Sequence, residues 1–476
     1  MNSIKHYWNN VFKLTSATIF TQLLNMLSSP FLARIYTPEH FGIVGFYNSV
    51  YGIMLVISAL RYEQSIIISE KDEENKLFSL ALIFVCATSF FFFFVLILLK
   101  NIFYLNFHFI NDYLLYLMPL SLLLFGINNV INSLGNKLKI YSIISYSILI
   151  LNLITIIMKL TLGLLFNPKA DYLILSDIIG VTLSIVFLAI YLIKIYNIKL
   201  ILKNSFNDYF VLLRKYINYL KYDNIAAFLN NLSWMLPAIL LSYFFSVKVV
   251  GYYALGFTII RLPMNLIGKS VSNVFYQSTA EYIDDHFKQK TIVEDTIINL
   301  FTLGLMPTLI ILIWGDILFA FVFGSKWYYA GVYSQILSIW GLVWLISSPI
   351  STLYYVYNLQ KKFLFLMILN ILFRILSLSI GGLLNDIYIS LFLFALSGIL
   401  LYGYMTLYTT KYIGISFKDL IKRIVLINKS ISIPIIILLT SRLLLNENTI
   451  IAIILIAIIT LTYYYGLISS YLKRSI

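Results

Sequence analysis

Charge, cysteine and histidine are scarce in this sequence, and each scarcity removes a class of function. Only 11% of the 476 residues are charged against 61% hydrophobic, with a mean hydropathy of +0.90. No soluble domain of that length can hide so much apolar surface, so the chain reads as an all-α polytopic membrane protein. The one cysteine, Cys86, lies inside an apolar run, which excludes an intrachain disulfide or a thiolate metal site. The four histidines (His6, His40, His108 and His286) fall in connecting segments. There is no Walker A lysine loop, no histidine metal pair, and no serine or cysteine nucleophile with a histidine at membrane depth. An enzyme, a nucleotide-driven pump and a cofactor or metal requirement are all disfavoured.

What is present is about fourteen apolar runs filling almost the whole length, at 12–33, 41–69, 77–99, 113–136, 140–166, 172–194, 220–246, 249–279, 295–323, 330–358, 363–384, 386–409, 431–445 and 449–471. The second, eighth, ninth and tenth are long enough to need tilt or kinks, and the thirteenth is short. The opening MNSIKHYWNNVFKLTSATIF has no small-residue cleavage site after its apolar run and reads as a retained span.

The net charge of +14 is placed by topology, not by a nucleic-acid partner. With the N-terminus inside, 23 Lys/Arg fall in inner segments and six in outer loops: Arg34, Lys100, Lys169, Lys248, Lys326 and Arg442. That bias sets both termini in the cytoplasm. Two long inner linkers mix bulky apolar residues with lysine and arginine, as helices lying on the membrane face do. They divide the chain into a six-helix lobe (1–196), a basic linker (197–219), a second six-helix lobe (220–410), and a linker with two extra helices (411–476). The lobes read as repeats: LARIYTPEHFGIVGFY over LSYFFSVKVVGYYALG, a shift of 209, sets Gly42 on Gly251 and brings Arg61 beside Lys269. Parallel repeats of this kind imply a substrate path between the two halves.

Five basic residues remain, all inside spans: Arg61, Lys159, Arg261, Lys269 and Arg374. Each centred cation costs about 2.5–3.5 kcal/mol on insertion scales unless it is hydrated or paired. Snorkelling or a structural ion pair is the plain alternative, and it suits Arg61 and Lys269 best. Intramembrane carboxylates are few (Glu63, Asp177 and Asp316), and on a continuous helix Glu63 points away from Arg61. An anion is thus the expected missing partner. Polar stripes accompany the cations: Arg261, Asn265, Lys269, Ser272 and Tyr276 in span 8; Ser145, Asn152, Thr155 and Lys159 in span 5; Asn370, Arg374 and Ser377 in span 11. Span 1 carries an uncharged one: Thr15, Thr18, Gln22, Asn25 and Ser29. Interhelical hydrogen bonding explains such stripes equally well where they hold no charge. The expected cavity set is Arg61, Lys159, Arg261, Lys269, Arg374 and Asn265, with Glu63 and Asp177 as coupling candidates.

The stretch from Pro30 to Ile68 resembles the opening of the bacterial polysaccharide-transport branch of the multidrug/oligosaccharidyl-lipid/polysaccharide (MOP) superfamily. The likeness is carried by Pro30, Arg34, Tyr36 to Glu39, Phe41, Gly42 and the later Arg61 to Glu63. It is specific over roughly residues 12–75, and beyond that it rests on the six-plus-six layout and on GYYALGFTIIRLP from Gly251. The resemblance implies a MATE-like, V-shaped, alternating-access flippase in the bacterial inner membrane. Its substrate would be undecaprenyl-pyrophosphate-linked oligosaccharide of the O-antigen or capsule kind, moved from the cytoplasmic to the periplasmic leaflet. Membrane lipids, a polysaccharide polymerase and chain-length machinery would be its partners, and the pyrophosphate would be the missing anion. A MATE-type small-molecule exporter would want an acidic interior, and a membrane polymerase would want a large outer loop. The longest outer connections have only about a dozen residues, as in KNIFYLNFHFIND.

The charge bias makes a direct prediction. Reporter fusions after Lys76, Lys215 and Lys429 should read as cytoplasmic, and fusions after Lys100 and Lys326 as periplasmic. A periplasmic signal at Lys215 would break the six-plus-six division.

Overall fold

A computed structural model describes residues 2–70, 72–101, 109–195, 206–427, 432–444 and 449–474; the side chains of residues 2–15, 101, 195, 206, 269, 426–427, 432–433, 443–444, 449, 468 and 470–474 lie outside that description. Parts of both expected inner linkers (196–205 and 428–431) and His108 also lie outside it. The described residues are helical with short turns, in two compact units, Met1–Gly251 and Tyr252–Ile476. Eleven helical segments among them are long and apolar enough to cross a membrane, so the count of fourteen is not reached by that measure.

The first unit holds α1 (Asn2–Ile35), α2 (Pro38–Val56), α3 (Tyr62–Ile68), α4 (Glu74–Asn101), α5 (Asp112–Lys137), α6 (Tyr141–Leu165), α7 (Ala170–Ile195), α8 (Phe206–Lys215), α9 (Asn224–Phe244) and the start of α10 (Val247–Pro263). Helix α2 starts from a capping box, in which Thr37 accepts from the His40 backbone N–H and the His40 imidazole accepts from that of Thr37. Helix α8 buries Leu212, with Tyr216 just past its end, in one apolar cluster with Leu77 and Phe78 of α4, and Lys215 pairs with Glu70 and Glu73 at 2.8 and 2.7 Å. Burial pushes the Glu73 carboxyl up, but the hydrogen bonds from Lys215 and Tyr216 prevail and hold it below its ordinary range. This anchor is therefore present at neutral pH and lost as pH falls through the carboxylate range.

Glycine permits the closest backbone approach in this unit. A Cβ on Gly42 would lie 1.8 Å from the Val247 carbonyl oxygen, and one on Gly251 would lie 1.8 Å from that of Pro38. The two contacts are reciprocal under the 209-residue shift, since Pro38 maps onto Val247 and Gly42 onto Gly251. Residues related by an internal repeat thus meet each other's partners, as a two-fold axis requires.

The second unit continues α10 through a π-helical turn (Met264–Gly268) into α11 (Lys269–Glu281). It then holds α12 (His286–Phe323), α13 (Tyr328–Ile350), α14 (Leu353–Val356), α15 (Gln360–Leu383), α16 (Ile387–Tyr412), α17 (Phe417–Ile427), α18 (Ser432–Leu444) and α19 (Thr449–Arg474). The 38 residues of α12 span about 57 Å, well beyond the ~30 Å hydrocarbon core. Its N-terminal end is tied to the amphipathic α17, where Arg423 bonds Glu294 and, at 3.0 Å, Asp295. Its C-terminal half is tied to the extra helices: Arg442 of α18 meets the buried Asp316 at 2.6 Å, and Trp314 Nε1 donates to the Leu438 carbonyl. Tyr463 and Tyr464 of α19 donate to the carbonyls of Thr302 and Leu303. The described part of α18 is 13 residues, about 20 Å of helix.

Gly251→Ala should lower the thermal stability of the purified protein by an amount typical of overpacking, about 1–3 kcal/mol, because the obstacle is backbone and cannot rotate away. Gly403→Ala, where nothing lies within 4 Å, should be neutral in the same melting experiment. Equal melting temperatures for the two variants would show that the close contact is not a constraint.

Candidate functional site

The expected second span (41–69) is two helices, not one. Helix α2 ends at Val56, and the chain turns through Leu60 and Arg61 at φ of 52° and 66° before α3 begins. Two consecutive non-glycine residues in the left-handed region cost of order 1–3 kcal/mol each, so the surroundings must hold them there. Part of that hold is visible: Thr88 of α4 donates to the Ser58 carbonyl freed by the break, at 2.8 Å. The turn also corrects the expectation for Glu63. With no continuous helix between them, Arg61 and Glu63 face one another, Nη1 to Oε1 at 3.5 Å.

Arg61 has a second partner that the sequence reading missed. Its Nε donates to Asp223 at 2.6 Å, on the π-helical turn Tyr219–Asp223 that opens α9. Asp223 lies at the edge of an apolar run, which hides it from a count of intramembrane carboxylates. Behind Arg61 opens a cavity of about 320 Å³ whose polar lining is Arg61, Glu63, Gln64, Asn129, Asn132 and Ser133. The asparagines come from α5, whose run GINNVINS carried a readable signal: three amides at helical spacing in an apolar helix.

Lys159 is also paired. Its Nζ lies 2.7 Å from Asp177 of α7, and Tyr36 donates to the Lys159 carbonyl. Two of the five interior cations therefore carry their own carboxylates, which corrects the expectation that both needed an outside anion. The stripes of spans 1 and 5 do meet, through Asn25 Nδ2 donating to Asn152 Oδ1 at 3.0 Å. Thr155, by contrast, turns towards the Ser176 carbonyl of α7, at 3.4 Å.

In the second unit the stripe of span 11 is buried whole. Asn370 and Arg374 both donate to the Tyr402 hydroxyl (3.2 and 3.4 Å), Ser377 bonds Ser397, and the Arg374 guanidinium sits over the Phe394 ring. Those contacts join α15 to α16, so this stripe is interhelical bonding with a cation in it. Arg261 differs. It is exposed near the end of α10, and no ion pair among the described residues includes it. The buried Tyr253, two turns earlier, interacts electrostatically with both Arg261 and Arg374 and was not singled out from the sequence. The π-helical turn between Arg261 and Lys269 alters the expected one-face stripe, because its extra residue per turn rotates the remainder of the helix. Asn265 sits on that turn, half-buried, and the Lys269 side chain lies outside the described residues.

With this geometry in place, comparison with known proteins is informative. Residues 31–332 match the family described as polysaccharide biosynthesis protein. The chain belongs to that family. Among solved structures, it is similar to the lipid II flippase MurJ in an inward closed conformation, with TM-score 0.66 and 17% identity, covering 97% of this chain and 99% of that one. It is also similar to an inward-facing multidrug resistance MATE family transporter of the MOP superfamily (TM-score 0.65, 13% identity, 84% and 96% covered). A third is a MOP superfamily transporter from Pyrococcus furiosus (TM-score 0.59, 12% identity, 85% and 95% covered). No curated protein matches the sequence. At these identities the likeness establishes the fold, which is that of the MOP transporters.

The ion pair at the helix break is testable. In a double-mutant cycle of Arg61→Ala and Asp223→Ala, losses in melting temperature should be non-additive by the equivalent of roughly 0.5–1 kcal/mol, the lower range because both groups are partly exposed. Strict additivity would mean the pair contributes nothing.

Proposed function

We propose that this protein is a flippase for undecaprenyl-pyrophosphate-linked oligosaccharide, the repeat unit of an O-antigen or capsule. It moves the unit from the cytoplasmic to the periplasmic leaflet of the bacterial inner membrane by alternating access, driven by an ion gradient or the membrane potential. Both termini lie in the cytoplasm, and a polymerase and chain-length machinery act downstream. Membership of a polysaccharide biosynthesis family and a fold shared with a lipid II flippase support the reading.

The observation that carries it is Arg261. An exposed guanidinium inside an apolar helix, with no ion pair among the described residues, needs an anion or water. A lipid-linked pyrophosphate supplies the anion in the right medium, and arginine grips it with two parallel hydrogen bonds as well as charge. Lys269 and Asn265, further along the same stretch, and Arg374 of α15 complete the proposed set. Arg61 and Lys159 take a second role in it, since their carboxylate partners must be displaced before either can bind a phosphate. An exporter of cationic drugs fits a cationic interior poorly.

Arg261→Ala and Lys269→Ala should each reduce surface polysaccharide at least tenfold with the protein still present in the membrane. Arg261→Lys should keep partial activity, and Arg261→Glu should be worse than alanine because repulsion is added to lost attraction. Glycan staining of complemented deletion strains, with membrane immunoblots as the abundance control, decides it. Normal export by both alanine variants at native expression would sink the anion-site reading.

A further inference from the structure

Helices α15 and α16 are consecutive, and both are long and apolar enough to cross a membrane. The start of α15 and the end of α16 therefore reach the same surface. At that end three tyrosines stand on successive turns of α16: Tyr404, Tyr408 and Tyr412. Neighbouring ring centroids are 6.0 and 6.3 Å apart, with planes 27° and 34° from parallel. The buried Tyr354 of α14 stacks on Tyr408 at 6.2 Å, and Tyr357 meets Tyr412 at 4.9 Å. Tyr357 in turn donates to the buried Gln289 of α12. The ladder is thus braced by packing, which a tyrosine that only marks a membrane interface does not need.

Lys362, in the first turn of α15, lies against this ladder. Its Nζ is 3.1 Å from the centroid of the Tyr408 ring and 5.6 Å from that of Tyr404. A ring face attracts an ammonium but leaves its net charge intact. Lys361 beside it and Lys411 of α16 are exposed, and no ion pair among the described residues includes any of the three. Carboxylates at this end are engaged elsewhere: Glu294 and Asp295 with Arg423, and Asp285 with Lys288. Asp419, the next carboxylate along the chain, is exposed and pairs with none of them. Three positive charges therefore stand together beside phenol hydroxyls that can donate. One helical turn deeper, Phe365 of α15 and Leu400 and Leu407 of α16 are exposed. Cations at the helix ends with open apolar side chains behind them repeat the polarity of a phospholipid.

We propose that the paired ends of α15 and α16 bind the headgroup of an anionic phospholipid. Lys361, Lys362 and Lys411 meet its phosphate, and its acyl chains lie along Phe365, Leu400 and Leu407. Basic pockets between spans at a membrane surface recognise such headgroups. A free phosphate would gain nothing from the apolar side chains. A zwitterionic headgroup brings its own ammonium, which three lysines repel. The Tyr408 ring holds the Lys362 ammonium in place before the lipid arrives, so less ordering remains to be done on binding. The site shares no residue with the Arg261 set, and the inference does not rest on the transport reading.

Native mass spectrometry of the delipidated full-length protein, titrated with dioleoyl phosphatidylglycerol or dioleoyl phosphatidylcholine, counts bound lipids one at a time. The first phosphatidylglycerol should bind at least tenfold more tightly than the first phosphatidylcholine. Each cation near an anionic surface contributes about fivefold, so Lys361→Gln/Lys362→Gln should cost roughly tenfold or more in phosphatidylglycerol affinity. Lys411→Gln should cost about fivefold on the same basis. Tyr408→Leu removes the ring against Lys362 with no change of charge, and should weaken phosphatidylglycerol but not phosphatidylcholine. The charge-matched Lys169→Gln/Lys248→Gln should bind as the parent does, and excess inorganic phosphate should not displace the lipid. Gel-filtration profiles confirm that each variant is folded. Equal affinity for the two lipids, or displacement by inorganic phosphate, overturns the proposal. So does undiminished binding by a folded Lys361→Gln/Lys362→Gln variant, or an equal loss in the Lys169→Gln/Lys248→Gln control.

Discussion

A charge taken into the bilayer has to bring a counter-charge or water with it, and that requirement organises both units of this protein. Within a span, a lone cation costs about 2.5–3.5 kcal/mol on insertion scales, and an unmatched backbone carbonyl also has a penalty of several kcal/mol. The observed pairs each join different elements: Arg61 to Asp223 and Arg442 to Asp316 across more than a hundred residues, and Lys159 to Asp177 between the consecutive α6 and α7. Hydrophobic packing cannot choose among helices in lipid, because the tails are as apolar as the side chains. The ion pairs and buried hydrogen bonds therefore fix which helix meets which, and at what height.

The break between α2 and α3 shows how one local irregularity makes a site. Ending α2 early frees carbonyls, and a threonine on a neighbouring helix takes up one of them. The left-handed turn then swings Arg61 and Glu63 to the same side and opens space against the amide-rich face of α5. A straight helix through the same residues would have sent these two charges to opposite faces and closed the cavity. Irregular backbone at membrane depth is tolerated where it lines a polar cavity, which is what it does here.

Much of the architecture was legible in the sequence because the bilayer imposes a strong signal of length and apolarity. The repeat was legible too: the shift that laid Gly42 over Gly251 is the shift under which their close contacts with Val247 and Pro38 are reciprocal. The candidate site was only partly so. Ser58 to Arg61 contain no glycine or proline, so nothing in composition marks the break, and helical spacing assigns Arg61 and Glu63 to opposite faces. Asp223 was missed because it stands at the margin of its apolar run, and a carboxylate's depth depends on where the helix begins. The π-helical turn after Pro263 had only that proline as a hint. Spacing arguments hold along unbroken helices and fail at irregular turns, where the site residues are concentrated.

Two unmet electrostatic demands of opposite sign remain, and they lie in different units. Around Glu63 the buried groups without partners are all acceptors, so the first unit wants positive charge there. At Arg261 the group without an ion pair among the described residues is a donor, so the second unit wants negative charge. Placed together, such groups would neutralise each other, as Arg61 and Lys159 are neutralised, and neither would retain affinity for a solute. On separate helix sets both persist, a surplus of buried acceptors in one and a guanidinium without an ion pair in the other. That separation gives each unit its own sensitivity to charge. Its cause is the uneven placement of counter-charges along the chain, with carboxylates beside Arg61, Lys159 and Arg442 and none beside Arg261 among the described residues.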